Sequence, residues 1–242
     1  MDRVSISSTG GGVMKGSISK NNAFIRHLLN KIFLFSVGGN KRPPFLTPSE
    51  VFPESKIIEA NFLQIHKEIS SLINKRELTP YKNIDPVRAA EVSENWKLYY
   101  AWFMWEENTL AHTDCPTLLK LVKSMPNVIN ATVAVLEPRV TLAAHEGPYA
   151  GILRYHIGIE VPKKNPPYIR VMNEFHTWQV GKSIVLDDCY EHEVYNEADD
   201  KRVILMIDFM RPMITPLSFI NLCCLKMKKK WGGVMIKKAN NH

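Results

Sequence analysis

From Asn130 to Pro212 the sequence is cut into short runs of β-branched and aromatic residues divided by turns, and few architectures accept that texture. The runs are Ala131–Leu136, Gly151–Val161, Tyr168–Val171, Glu174–Gln179, Ser183–Leu186, His192–Tyr195 and Arg202–Phe209. Gly181-Lys182 and the stretch Asn196-Glu-Ala-Asp-Asp200 supply turns between the later runs. Many short strands at this spacing predict a mainly β chain, folded as a sandwich or barrel. Gly181-Lys182-Ser183 is not a phosphate loop, because His176 stands where the first glycine would be and no helix follows. No repeat and no βαβ alternation is present.

The N-terminal half has a different period. Ile58, Phe62, Ile65, Ile69 and Leu72 recur at three- and four-residue steps, which predicts one amphipathic helix over Ser55–Lys75. Trp96–Trp105 carries six aromatic residues and reads as a strand, and Pro116 opens a short helix. These segments predict a helical layer N-terminal to the β region. Boundaries are expected at a flexible Ser/Gly-rich arm (1–20), an amphipathic connecting segment (21–52), the main domain (53–215) and a basic C-terminal tail (216–242).

Charge narrows the partners. The net charge is +7, and six lysines after Asn221, with no acid among them, account for most of it. A body close to neutral argues against nucleic-acid binding by a broad basic face. The tail, together with residues 23–37, points instead to peripheral contact with an anionic membrane. Residues 23–37 are apolar but interrupted by Arg26, His27, Asn30 and Lys31, and too short to span a bilayer; ordinary packing is the competing reading. Four irregularly spaced cysteines give no disulfide framework, and residues 1–20 hold no apolar leader. A cytoplasmic setting, peripheral to a membrane, is expected.

Two histidines carry the candidate chemistry. His145 and His192 each sit beside strand-like sequence, and neutral imidazoles on strands suit a non-haem iron centre with open positions. A facial triad would place a carboxylate two residues after the first histidine, on the same strand face, but that position is Gly147. Arg154 and His156 alternate on one strand, and Arg202 opens an otherwise apolar one. A buried arginine needs a counter-charge: either an internal acid such as Asp187 or Asp188, or a dicarboxylate ligand held by paired hydrogen bonds.

These residues belong to a longer pattern. His145-Glu-Gly-Pro-Tyr-Ala-Gly-Ile-Leu-Arg154-Tyr-His156, Asn173-Glu-Phe-His-Thr-Trp178, Leu186-Asp-Asp-Cys-Tyr-Glu-His192-Glu-Val and Arg202 to Asp208 with Arg211-Pro212 resemble the aspartyl/asparaginyl β-hydroxylase family. The bacterial lipid A acyl-chain hydroxylases that share this domain are similar as well. The resemblance implies a double-stranded β-helix (jelly-roll) core and an iron(II)- and 2-oxoglutarate-dependent dioxygenase using O2. By carry-over, His145 and His192 are the metal ligands and Arg202 holds the distal carboxylate of 2-oxoglutarate. Arg154 and His156 reach its other end, and Trp96 is the aromatic residue beside it. Ala134 stands where related enzymes have a serine, and Thr132 on the same face is its candidate replacement.

Two substrates fit that reading. The first is the β-carbon of an aspartyl or asparaginyl residue in a peptide or protein, favoured by His145-x-Gly147; the runner-up is a lipid acyl chain, favoured by residues 23–37 and the lysine-rich tail. Halogenation ranks below both. A non-catalytic jelly roll that only binds a partner is the alternative of another class, and it would need neither iron nor 2-oxoglutarate.

Overall fold

The computed structural model describes residues 12–84 and 95–231. The helices are α1 (Gly12–Ser36), α2 (Pro48–Val51), α3 (Ser55–Ala60), α4 (Phe62–Lys75), α5 (Tyr81–Ile84), α6 (Ala111–Asp114), α7 (Pro116–Lys123) and α8 (Thr215–Trp231). Four strands flank or precede the main β unit or open it: β1 (Phe45–Leu46), β2 (Thr79–Pro80), β3 (Trp96–Phe103) and β4 (Glu106–Glu107). The unit itself comprises β5 (Val128–Leu136), β6 (Val140–His145), β7 (Ile152–Glu160), β8 (Tyr168–Val171), β9 (Glu174–Thr177), β10 (Ser183–Leu186), β11 (His192–Asn196) and β12 (Arg202–Met210).

The pairing of these eight strands is nested. β8 pairs with β9, β7 with β10, β6 with β11 and β5 with β12, all antiparallel. One long ribbon is thus wound so that its strands divide between two sheets. The larger runs β1-β10-β7-β12-β5-β3-β2, the smaller β6-β11-β8-β9. That is a double-stranded β-helix, as the sequence resemblance implied.

Alternation along β12 shows why the layers form. Val203, Leu205, Ile207 and Phe209 join the core under the helices, with Ile58, Ile65, Ile69 and Leu72 of α3 and α4. Ile204 and Met206 face the other way, toward Leu142, Ile169 and Val194 of the smaller sheet. A period of two on the strand meets a period of 3.6 on the helices, and a helix–sheet–sheet stack results.

Several expectations are corrected. The helix over Ser55–Lys75 breaks at Asn61, whose side-chain amide donates to the Ile57 carbonyl at 2.9 Å and competes with the helical ladder. The aromatic strand stops at Phe103, because Met104 and Trp105 take positive φ and turn the chain into β4. β6 was not foreseen; Ala143 and Ala144 are weak strand formers, both exposed. Of the expected arm, residues 1–11 lie outside the described residues, and from Gly12 the backbone is helical; no proline interrupts 12–36, so the helix propagates. Of the expected tail, 216–231 belong to α8 and 232–242 lie outside the described residues. Asn221 latches α8 to the jelly roll: its amide donates to the Gly151 carbonyl at 2.7 Å and its oxygen accepts from Tyr149 Oη at 2.7 Å. A Cβ on Gly151 would lie 2.0 Å from that oxygen, so only glycine admits the latch.

A buried ion triad ties the segments that follow α1 and β12 to the loop before β11. Asp187 is fully buried and takes 2.8 Å contacts from Arg42 Nε and Arg211 Nη2. Burial alone would push its carboxyl up; Arg211 and then Arg42 outweigh this and hold the pKa below 3.8. The sign follows: the stabilisation is present above about pH 4 and fades as pH falls through the depressed value. Asp187→Asn leaves two buried guanidinium groups poorly matched and is expected to cost about 3–5 kcal/mol, a drop in Tm of roughly 10 °C by circular dichroism. A loss below about 1 kcal/mol, typical of surface pairs, would count against the triad.

Candidate active site

His145 ends β6 and His192 opens β11, and the two are direct cross-strand partners. Their rings lie 4.3 Å apart between centroids. Each Nδ1 is bound to the carbonyl two residues upstream, His145 to Ala143 at 2.7 Å and His192 to Tyr190 at 2.9 Å. A carbonyl can only accept, so Nδ1 carries the proton and the lone pair sits on Nε2 in both rings. Two like tautomers side by side form a ready nitrogen donor pair.

Gly147, the position a facial-triad carboxylate would take, is crowded by an acid from another loop. A Cβ built on Gly147 would lie 2.6–2.7 Å from the carboxyl of Asp188, so Asp188 fills the space a side chain at 147 would need. The Gly147 amide also donates to the Asp188 carbonyl at 2.6 Å. The Asp188 side chain is buried, with Oδ1 unpartnered, and burial, reinforced by Asp208 and Asp187, raises its pKa despite Arg154. It lines a 110 Å³ cavity together with His145, Gly147, Arg154 and His192. Sequence reasoning named Asp188 only as a candidate partner for Arg202; its place against Gly147 was missed because it approaches across space, through the loop between β10 and β11.

The arginines separate into two kinds. Arg154, on β7, is already neutralised: Nε meets Asp208 Oδ1 at 2.7 Å and Nη1 meets Asp188 Oδ2 at 3.4 Å. Arg202, opening β12, is 2% exposed, and among the described residues no acid lies within ion-pairing distance. Asp187 and Asp188, its candidate internal partners, are engaged by Arg42, Arg211 and Arg154. Arg202 lies over the Trp178 ring, 4.6 Å from its centroid, and its Nε has no hydrogen-bond partner. Burial pulls its pKa down from 12.5 to about 9, still cationic near neutrality. His156 is buried with both ring nitrogens unpartnered, and burial, then Arg154 and Arg202, lowers its pKa well below 6.5, so the ring is neutral.

A buried cation and a buried imidazole with unmet hydrogen bonds are the signature of a site shaped for an anion. Both line a narrow pocket that also touches Trp96, His145, Arg154 and His192. The structure therefore brings together all six residues singled out from the sequence. It adds Asp188, Asp208 and Trp178, with Thr132 lining the outer cavity and Ala134 the inner one. Asp208 was detectable in principle, three alternations along β12 from Arg202.

The model of the aspartyl/asparaginyl β-hydroxylase family matches residues 59–212. The chain belongs to that family. Over 187 residues this β-hydroxylase family member is 32% identical to the ornithine lipid ester-linked acyl 2-hydroxylase of Rhizobium tropici, covering 76% of this chain and 66% of that one. It is 28% identical over 190 residues to aspartyl/asparaginyl β-hydroxylase of Homo sapiens, covering 76% and 24%. The chain thus spans just under two thirds of the bacterial relative and about a quarter of the human one. Among solved structures, a cupin domain of an XRE-family transcriptional regulator from Enterobacter cloacae aligns at TM-score 0.35 and 9% identity, over 49% of this chain and 99% of that one.

Proposed function

We propose that this chain is an iron(II)- and 2-oxoglutarate-dependent dioxygenase that hydroxylates the acyl chain of a lipid. The observation that carries the co-substrate is Arg202, a buried guanidinium with no acid within reach among the described residues. A dicarboxylate supplies the missing charge in the bidentate geometry a guanidinium prefers. Iron(II) suits the donors present: two imidazole Nε2 atoms in fixed tautomers, with the remaining positions open to other ligands. With iron, 2-oxoglutarate and O2 bound, the centre supplies an oxidant strong enough for an unactivated C–H bond, and R–H, O2 and 2-oxoglutarate become R–OH, succinate and CO2.

The protein's share is placement and exclusion. The Ala143 and Tyr190 carbonyls hold the two imidazoles in one tautomer. Trp178 stacks on the guanidinium of Arg202 and keeps it aimed into the pocket. His156, held neutral, can donate to a carboxylate oxygen without adding charge. Ala134, Leu142, Ile169 and Ile204 wall the inner pocket and keep bulk water from the reacting centre. Asp208 and Asp188 clamp Arg154, which shapes the outer cavity rather than offering a spare charge.

The acyl-chain reading is favoured over a peptide by the exposed apolar residues of α1, with Phe24 69% and Phe35 83% exposed. Purified protein with iron(II), 2-oxoglutarate and O2 is expected to form succinate, and mass spectrometry to find a +16 product on an acyl-chain lipid. A +16 product on an aspartyl or asparaginyl peptide alone would move the substrate class; no succinate with either would sink the oxygenase reading.

A further inference from the structure

A second cavity lies outside the catalytic pocket, in the cleft between α1 and α8. It measures 380 Å³ and is walled by Ile25, Leu29, Tyr149, Cys224, Leu225 and Met227. Pro148 borders both this cleft and the cavity that holds His145 and His192. The helices are anchored around it. Asn30 of α1 donates to the Pro148 carbonyl at 3.1 Å and accepts from the Ala150 amide at 3.0 Å, while Asn221 fixes α8 to Gly151. Both helices therefore hang on the segment 148–151, which follows directly from His145.

Their outer faces are apolar and basic. On α1, Phe24, Leu28, Ile32 and Phe35 recur at steps of four, four and three, and all are exposed, while Phe33 is buried against the protein. On α8, Phe219, Ile220 and Met227 are exposed. Arg26 and Lys31 on α1, and Lys226 and Lys228 on α8, are exposed beside them, and neither helix contains an acidic residue. No described helix is long and apolar enough to cross a membrane. Lys229 of α8 is paired with Glu106 of β4 at 3.2 Å. The helices themselves bring only positive charge beside their apolar residues, which complements the surface of an anionic bilayer, in which a helix lies along the interface.

We propose that the α1–α8 cleft is an acyl-chain site, filled from an anionic bilayer on which these two helices rest, and leading past Pro148 to the catalytic cavity. The cleft's apolar lining accepts methylene groups, with Arg26 at its edge toward the anionic headgroups. This deepens the acyl-chain reading and rests on it for the chemistry; binding at the cleft is measurable without turnover.

The test uses the full chain with vesicles of phosphatidylcholine, alone or with about one third phosphatidylglycerol, both carrying a trace of a phosphatidylcholine with a diazirine on its acyl chain. Irradiation is expected to label peptides spanning residues 25–29 and 224–228, with strong labelling only in the anionic vesicles. Ile25→Glu and Met227→Trp alter exposed positions at the cleft, so the fold is kept. Each is expected to cut cleft labelling about tenfold, the worth of two buried methylene groups, with lipid-free conversion of 2-oxoglutarate unchanged. Labelling elsewhere, equal labelling in neutral vesicles, or variants labelled like the wild type would each overturn the proposal and leave this face to a protein partner. Wild-type labelling in the cleft without any succinate formation would support the cleft and count against the dioxygenase reading alone.

Discussion

His192→Ala is expected to abolish conversion of 2-oxoglutarate to succinate, while leaving the protein folded. The imidazole is one of two nitrogen donors whose tautomers are fixed by backbone carbonyls. Loss of a mere supporting partner in a metal site typically lowers affinity or activity about 10–100-fold, and loss of a ligand from so small a donor set must exceed that. The His192 side chain is 4% exposed, so its removal also leaves a small void, and thermal unfolding is the control that separates misfolding from metal loss. Equilibrium dialysis against iron(II) provides a second readout, with weak retention by the variant. Equal iron binding and equal succinate formation by wild type and variant would remove His192 from the centre.

How much of this was legible in the sequence depends on whether a feature is local or assembled across space. The alternation Arg202, Ile204, Met206, Asp208 against Val203, Leu205, Ile207, Phe209 is local, so both faces of β12 could be read directly. The two histidines and Arg202 were visible because a charged or titratable residue in strand-like sequence stands out. Asp188 was not, because its role follows from the loop that sets its carboxyl where a Gly147 side chain would go. Trp178 belongs to the same class: it follows β9 in sequence, and only the winding of the ribbon brings it under Arg202. α8 was taken for a basic tail because its lysines dominate the composition, whereas what docks it is one buried asparagine facing a glycine. β6 failed for the opposite reason, since Ala143-Ala144 carry little strand signal and its order comes from pairing with β11.

Arg202→Met is expected to weaken 2-oxoglutarate binding by about 100-fold, the scale of losing one partner of a buried, hydrogen-bonded charge pair, and yet to hold or raise the stability of the ligand-free protein. The two effects have opposite signs for one reason. Without its co-substrate, Arg202 is a buried cation opposed by desolvation and supported by the Trp178 ring, with no counter-ion among the described residues. Replacing an ion in such a setting by an apolar side chain of similar volume is often neutral or stabilising by about 1–4 kcal/mol, from which the lost cation–π contact subtracts up to about 2 kcal/mol. Saturating 2-oxoglutarate should raise the wild-type Tm, since a ligand at about 100 times its Kd adds about 2.7 kcal/mol. The variant at the same concentration should show almost none of that rise. A structural arginine would behave in the reverse way, with stability lost and co-substrate binding untouched. Thermal unfolding of both proteins with and without 2-oxoglutarate therefore separates an anion site from an internal ion pair, and a destabilised Arg202→Met protein with unchanged 2-oxoglutarate dependence would refute the assignment.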